Sequence, residues 1–196
     1  MTAGREHSGT FRIGLLTTGG TIEKTYDAHQ GKLHNVSSVL DHLLGELVLE
    51  AVQLERIPVM SKDSLDMTSE DHHEIAKAAI DQASGCDGVV IVHGTDRLAN
   101  TGEAIHELAG QGLKVPVVLT GSMRPWVMRD SDAQQNLTES LLAVQLLEAG
   151  VYVCMHSRIL RFPGVIKDRK NLRFVMAEEL VEPSIVDQEE ECSSTS

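Results

Sequence analysis

Four short segments of this 196-residue chain gather hydroxyl side chains, glycines and single carboxylates: Thr17-Thr18-Gly19-Gly20-Thr21, Asp63-Ser64, Gly94-Thr95-Asp96 and Thr120-Gly121-Ser122. The chemistry open to such residues is attack by a hydroxyl on a carbonyl carbon. A threonine hydroxyl is a weak nucleophile unless a neighbouring base takes its proton and donors hold the developing oxyanion. The glycines ahead of Thr21 let the main chain run close to a ligand and present the next side chain without a competing Cβ. Thr95 and Asp96 offer a second hydroxyl and a carboxylate. A lysine brought to that carboxylate can lose its proton when desolvated and act as base. Lys167 is one candidate, and residue type alone does not separate it from Lys114 or Lys62.

Other chemistries fit less well. The turn Thr18-Gly-Gly-Thr21 is not GxGxxG, no GxxxxGK[ST] occurs, and few cations stand near these segments to neutralise a phosphate. His93 forms no HxxxH or HxH pair with His72, His73 or His106, so a satisfied structural histidine is expected, with no metal and no cofactor. His72-His73 reads as a solvated helix start. Cys86, Cys154 and Cys192 are odd in number and widely spaced, which indicates neither a disulfide framework nor a zinc knuckle; the first two read as buried thiols.

The elements that must position these groups alternate. Residues 11–17 read as a buried strand, 37–47 as an amphipathic helix, and 49–59 as a second strand ending at Pro58 and a polar loop. Thr68 or Ser69 caps a helix running to Ala83 and stopped at Gly85. Gly88-Val-Val-Ile-Val92 is the β-branched run of a central parallel strand. A helix over 101–109, a strand over 115–119, a long helix over 132–149 and a strand over 151–155 follow, and the remainder to Met176 is less regular. This predicts an α/β fold: a doubly wound, mostly parallel sheet with helices on both faces, in a single domain over 11–180. Residues 1–10 are expected to be a flexible N-terminus and 181–196 an acidic, disordered tail. In such a sheet ligands bind beyond the carboxyl ends of the strands, so all four segments face one edge.

Acidic residues outnumber basic ones 29 to 17, for a formal charge of -12. Such a surface repels phosphate backbones and anionic lipid, which argues against nucleic-acid and membrane partners. No apolar run reaches the roughly 20 residues of a membrane helix, and the polar N-terminus lacks the apolar stretch of a secretory signal. A cytoplasmic protein is expected, in which the sequons at Asn35 and Asn136 carry no meaning. Trp126, following a strand tip, reads as exposed, either rimming the pocket or anchoring a subunit contact.

Thr18-Gly-Gly-Thr21-Ile22, His93-Gly-Thr-Asp96 and Leu119-Thr-Gly-Ser-Met-Arg-Pro125, in this order and each at a strand tip, resemble the bacterial-type L-asparaginase/glutaminase family. Ser131-Asp132 with Asn136-Leu137 extends the match, which covers residues 11–176 and corresponds to the family's N-terminal domain. The resemblance implies that Thr21 attacks the side-chain amide carbon, assisted by Tyr26 from the segment after it. It implies that Thr95, Asp96 and Lys167 form the second catalytic group. It also implies that Ser64 binds the substrate's α-carboxylate and Asp96 its α-ammonium, with Gly20 and Gly94 lining the seat. The substrate is then an amino-acid amide, L-asparagine, cleaved to L-aspartate and ammonia through a threonine acyl-enzyme. The family also implies a homo-oligomer, a dimer or tetramer.

Two departures stand out: Arg97 where the family has threonine, and no counterpart of the family's C-terminal domain, as in short single-domain forms. The alternatives are an L-glutaminase or related amidase, and a non-catalytic amino-acid-binding module on the same scaffold. Each residue also has a plainer reading: Thr21 a turn residue, Tyr26 a loop aromatic, Asp96 a helix cap, Lys167 a surface lysine.

Overall fold

The computed structural model describes residues 9–27, 32–35 and 38–180. The first eight residues and the 181–196 segment lie outside them, as do the side chains of 25–27, 32–35 and Ser38. The chain runs β1 (Phe11–Thr17), a 3-10 turn (Thr21–Glu23), β2 (Lys24–Asp27), β3 (Lys32–Asn35), α1 (Ser38–Gly45) and β4 (Val52–Pro58). A second 3-10 turn (Ser64–Asp66), α2 (Ser69–Ala83), β5 (Gly88–Val92), α3 (Leu98–Ala109), β6 (Pro116–Thr120) and α4 (Ala133–Leu146) follow. Strands β7 (Gly150–Met155), β8 (Arg158–Arg161), β9 (Val165–Asp168) and β10 (Arg173–Met176) complete the set, before a last 3-10 turn.

Six strands form one sheet in the order β4-β1-β5-β6-β7-β8. The first five are parallel and β8 closes the edge antiparallel to β7. This confirms the mostly parallel α/β sheet. Each strand of the centre is apolar on both faces, because helices cover both. Ile13, Leu15, Val90, Val92 and Val118 point to the layer with Leu40 of α1 and Leu137 and Val144 of α4. Leu16, Val89, Ile91, Val117 and Leu119 point to the layer with Ile75 and Ala79 of α2 and Ile105 of α3. Each such valine or leucine taken from water contributes about 1.5–3 kcal/mol. Cys86 and Cys154 are both buried free thiols; burial pushes Cys154 up to about 11.

The edges are polar where the centre is not. β4 alternates half-buried Leu54 and Ile57 with exposed Glu55 and Arg56, and β8 begins and ends in arginine. Charged edges of this kind discourage pairing with other chains.

Several boundaries differ from expectation for local reasons. The second strand starts at Val52 because Glu50 and Ala51 make the turn into it. The helix expected over 101–109 begins at Leu98, whose buried side chain already packs on the sheet. The stretch before Met176 is more regular than expected: it holds β8 and the β9–β10 hairpin. Helix α2 is capped by Thr68, with the Asp71 carboxylate accepting from the Thr68 N–H in return. Its inner face also buries His72, at 7% exposure, so the solvated helix start holds for His73 and not for His72. Among the described residues no helix is long and apolar enough to cross a membrane.

Candidate functional site

Counting only the parallel strands, the chain order across the sheet is second, first, third, fourth, fifth, so the chain changes direction between β1 and β5. The crossovers leave to opposite sides there and open a crevice at the carboxyl ends. The tips of β1 and β5 meet in it. Thr18 donates from its N–H and from its Oγ1 to the Val92 carbonyl, each at 3.1 Å. Gly20 then turns with φ 103° and ψ -176°, a conformation open essentially to glycine alone. A Cβ on Gly20 would stand 2.5 Å from the Gly94 nitrogen, and one on Gly94 would stand 2.6 Å from Ser64 Oγ. Gly20, Gly94 and Ser64 are therefore stacked closely against one another. Thr21 and Thr95 each follow one of these glycines.

Ser64 is held by its neighbours. Asp63 caps the 3-10 turn by accepting from the Leu65 N–H at 3.1 Å, and Lys24 of β2 donates to its other oxygen at 2.6 Å. The Lys24 ammonium holds the Asp63 carboxyl below its usual range. Arg97, instead of projecting as a loose cation beside the site, donates from Nη1 to the Met67 carbonyl at 2.5 Å. It thereby ties the start of α3 to the segment that carries Ser64.

Of the three lysines, Lys167 is the one brought to the carboxylate. Its Nζ donates to Thr95 Oγ1 at 2.8 Å and to Asp96 Oδ1 at 3.0 Å. Lys62 is paired with Asp71 at 2.6 Å, and Lys114 lies just before β6, at the opposite end of the strands. Lys167 sits on β9, opposite Phe174 of β10, and its side chain is 10% exposed. An amine between a hydroxyl and a carboxylate can pass a proton to or from the hydroxyl while the carboxylate balances the charge. Thr21 is half-buried at the head of the first 3-10 turn. Among the described residues it makes no hydrogen bond to Thr95 or Lys167 and joins them through the Gly20–Gly94 contact. Tyr26 lies on β2, in register with Leu33, and its side chain lies outside the described residues.

Further residues surround the site. Asp132 accepts from the N–H groups of Met123 and Arg124, from Asn136 Nδ2 and from His156 Nε2, which pins the loop after β6 to α4 and to the β7–β8 turn. Glu23, two residues past Thr21 and 5% exposed, is held above the usual carboxylate range by burial, against the pull of Arg56 and of the Gly19 N–H. Ser122 Oγ, at the tip of β6, is buried with no hydrogen-bond partner among the described residues. Arg169 donates to Asp96 Oδ1 at 3.0 Å. Trp126 is half-buried, stacked on His42 at 5.9 Å between centroids, which makes it part of the core margin.

His93 is built into the floor. Its Nδ1 lies 2.8 Å from the Gly94 carbonyl, which can only accept, so Nδ1 carries the proton and Nε2 accepts from Thr101 Oγ1 at 2.8 Å. Thr101 has one proton to give, so it accepts in turn from His72 Nδ1 at 2.7 Å. Burial pushes His93 down to about 4, partly opposed by the Gly94 carbonyl, and also lowers His72. The sign follows from linkage: above about pH 6.5 His93 is neutral both folded and unfolded, and below that only the unfolded chain takes up its proton. Stability is therefore lost as pH falls from 6.5 towards 4, by about 2 kcal/mol between pH 7 and pH 5 from this residue. His93→Gln should flatten the fall of Tm over that interval relative to wild type. Parallel Tm-against-pH curves for the two proteins would refute the assignment. No group of three His, Cys, Asp or Glu side chains able to hold a metal occurs among the described residues.

A hydroxyl-and-glycine crevice with one lysine bridging a threonine and an aspartate can be compared with known proteins. The chain is 34% identical over 148 residues to an L-asparaginase from Thermococcus kodakarensis, a match covering 74% of this chain and 44% of that protein. It is 37% identical over 153 residues to a glutamyl-tRNA(Gln) amidotransferase subunit from Aeropyrum pernix, covering 74% and 35%. The solved thermostable L-asparaginase from Thermococcus kodakarensis superposes with TM-score 0.75 at 30% identity, over 84% of this chain and 51% of that one. A probable cytoplasmic L-asparaginase from Campylobacter jejuni gives 0.71 at 31%, over 85% and 53%. The chain thus spans a third to a half of the length of these relatives. The sequence profile described as "Asparaginase, N-terminal" matches residues 12–173, from the second residue of β1 through β9, and the chain belongs to the asparaginase family.

Proposed function

We propose that this site hydrolyses the side-chain amide of L-asparagine to L-aspartate and ammonia. Thr21 Oγ1 attacks the amide carbon and its proton passes to the amide nitrogen, the tetrahedral intermediate collapses with loss of that nitrogen as ammonia, and an ester to Thr21 remains. A water deprotonated by the Thr95–Lys167–Asp96 group then attacks that ester, and the proton returns to Thr21 as aspartate leaves. Tyr26 assists the first step. Ser64, Gly20 and Gly94 seat the α-carboxylate end of the substrate. The observation that carries the reading is the Lys167 amine, hydrogen-bonded at once to Thr95 and Asp96 at the direction-reversal of the sheet. The cytoplasm and a homo-oligomer are the setting proposed with it.

A second reading has a specific support: several relatives at 30–37% identity are named as subunits of a glutamyl-tRNA(Gln) amidotransferase. On that reading the amide cleaved is glutamine's and the chain works beside a partner protein. One methylene separates the two substrates, worth only about 1–3 kcal/mol of discrimination.

Ammonia release by the full chain from L-asparagine and L-glutamine, over a wide concentration range, tests both. Release from one and not the other chooses between them, and release from neither at high substrate moves the chain to the class of binding modules. Lys167→Met should lower kcat/KM by about 10²–10⁴. The fold should survive the change, because Asp96 keeps Arg169 as a partner. An undiminished rate would remove Lys167 from the proton path.

A further inference from the structure

Asp96 is the carboxylate to which an amino-acid substrate would bring its α-ammonium, yet one oxygen of it already takes two cationic donors. Lys167 Nζ and Arg169 Nη1 each lie 3.0 Å from Oδ1. The single negative charge of Asp96 thus faces two cationic side chains before a ligand arrives. The Arg169 side chain is 65% exposed, and the turn that carries its backbone is fixed. In this β9–β10 turn the buried Asp168 carboxylate accepts from the Lys170 and Asn171 N–H groups, both at 3.1 Å, and from Asn171 Nδ2 at 2.7 Å. Arg173 closes the same carboxylate from the next strand. Two carboxylates on either side of Ser64 in the chain are compensated as well, Asp63 by Lys24 and Asp71 by Lys62, each at 2.6 Å. An incoming ammonium would have to displace Arg169 from Asp96 or enter beside it as a further cation, whereas a carboxylate meets no such charge.

We propose that Arg169 biases this site, among amides that carry a carboxylate, towards those with no free α-ammonium, so that L-asparagine is accepted but disfavoured. Dicarboxylic monoamides such as succinamate and N-acylated asparagine are of the favoured kind. Arg169 acts by occupying the ammonium seat, and it needs no part in the bond-breaking steps. The proposal rests on the amidohydrolase reading for the identity of the amide, and its test is chosen to separate the two.

The test is calorimetric titration of succinamate and of L-asparagine into the full chain and into Arg169→Ala and Arg169→Lys, with ammonia release followed alongside. Wild type should bind succinamate about five- to tenfold more tightly than asparagine, the factor expected of one solvent-accessible ion pair. Arg169→Ala should tighten asparagine by a similar factor while leaving succinamate in place, and Arg169→Lys should retain the wild-type order. Asparagine binding wild type more tightly than succinamate would overturn the proposal. So would an Arg169→Ala variant that moves both ligands alike, or the absence of binding by either. Selective binding without ammonia from any amide would keep the role of Arg169 and remove the hydrolase. Ammonia released from both amides with the same preference in wild type and variant would do the reverse.

Discussion

Thr21→Ala is expected to stop ammonia release, with kcat falling by roughly 10³–10⁶, while the protein still folds and still binds its ligand. The asymmetry comes from where Thr21 sits. It is half-buried at the head of a single 3-10 turn, so losing its hydroxyl and methyl removes little packing. Gly20, Gly94 and Ser64, the proposed seat of the ligand, are left untouched by the substitution. What disappears is the oxygen proposed to form the ester, and Thr95 is a poor substitute because its Oγ1 is engaged by Lys167. Thr21→Ser should restore part of the rate, since the oxygen returns without the methyl that orients it. Ligand-induced rise in Tm, measured beside turnover, gives both halves of the prediction from one preparation. A Thr21→Ala variant that turns over at the wild-type rate would take the nucleophile away from position 21. A variant that loses binding and turnover together would make Thr21 a part of the seat.

Two kinds of information in the chain account for what can be read from it directly. The strands are apolar runs that stop in Gly, Thr and Ser, and helices alternate with them, so the parallel sheet and its hydroxyl-rich edge follow from local pattern. Thr18 to Thr21, Ser64, and Thr95 with Asp96 are legible for that reason. The lysine is not legible from pattern: Lys167 meets Thr95 across 72 positions of sequence, and nothing local distinguishes it from Lys62 or Lys114. The family resemblance supplies it, and the β9 register places it.

Arg169 is hidden more deeply. Its meaning depends on the Asp168 turn that aims it, and that turn lies in a stretch whose strands are four residues long and lack a periodic apolar signal. The Asp168…Asn171 spacing is the one local hint, since aspartate and asparagine favour such turns. His72 departs from the expected solvated start because its neighbour His73 alone is exposed; two adjacent histidines on a helix straddle the boundary between inner and outer faces.

The largest expected effect on stability comes from the smallest change, Gly20→Ala. Two costs add at this position. The backbone of residue 20, at φ 103° and ψ -176°, lies in a region that a Cβ makes unfavourable by about 1–3 kcal/mol. The added Cβ would also stand 2.5 Å from the nitrogen and 2.6 Å from the Cα of Gly94. These are main-chain atoms, so no rotamer change relieves the contact, and separating the β1 and β5 tips costs about 1–3 kcal/mol more. Together they amount to about 2–6 kcal/mol, which for a domain of this size lowers Tm by about 5–20 °C. Gly45→Ala is the control: it ends α1 with nothing within 4 Å of its would-be Cβ, and should leave Tm unchanged or raise it slightly. The same displacement moves Thr21 away from Thr95, so whatever Gly20→Ala protein remains folded should lose turnover as well. A folded Gly20→Ala with wild-type Tm and rate would mean that the two tips are not pressed together, and the joint site built on their contact would fall with it.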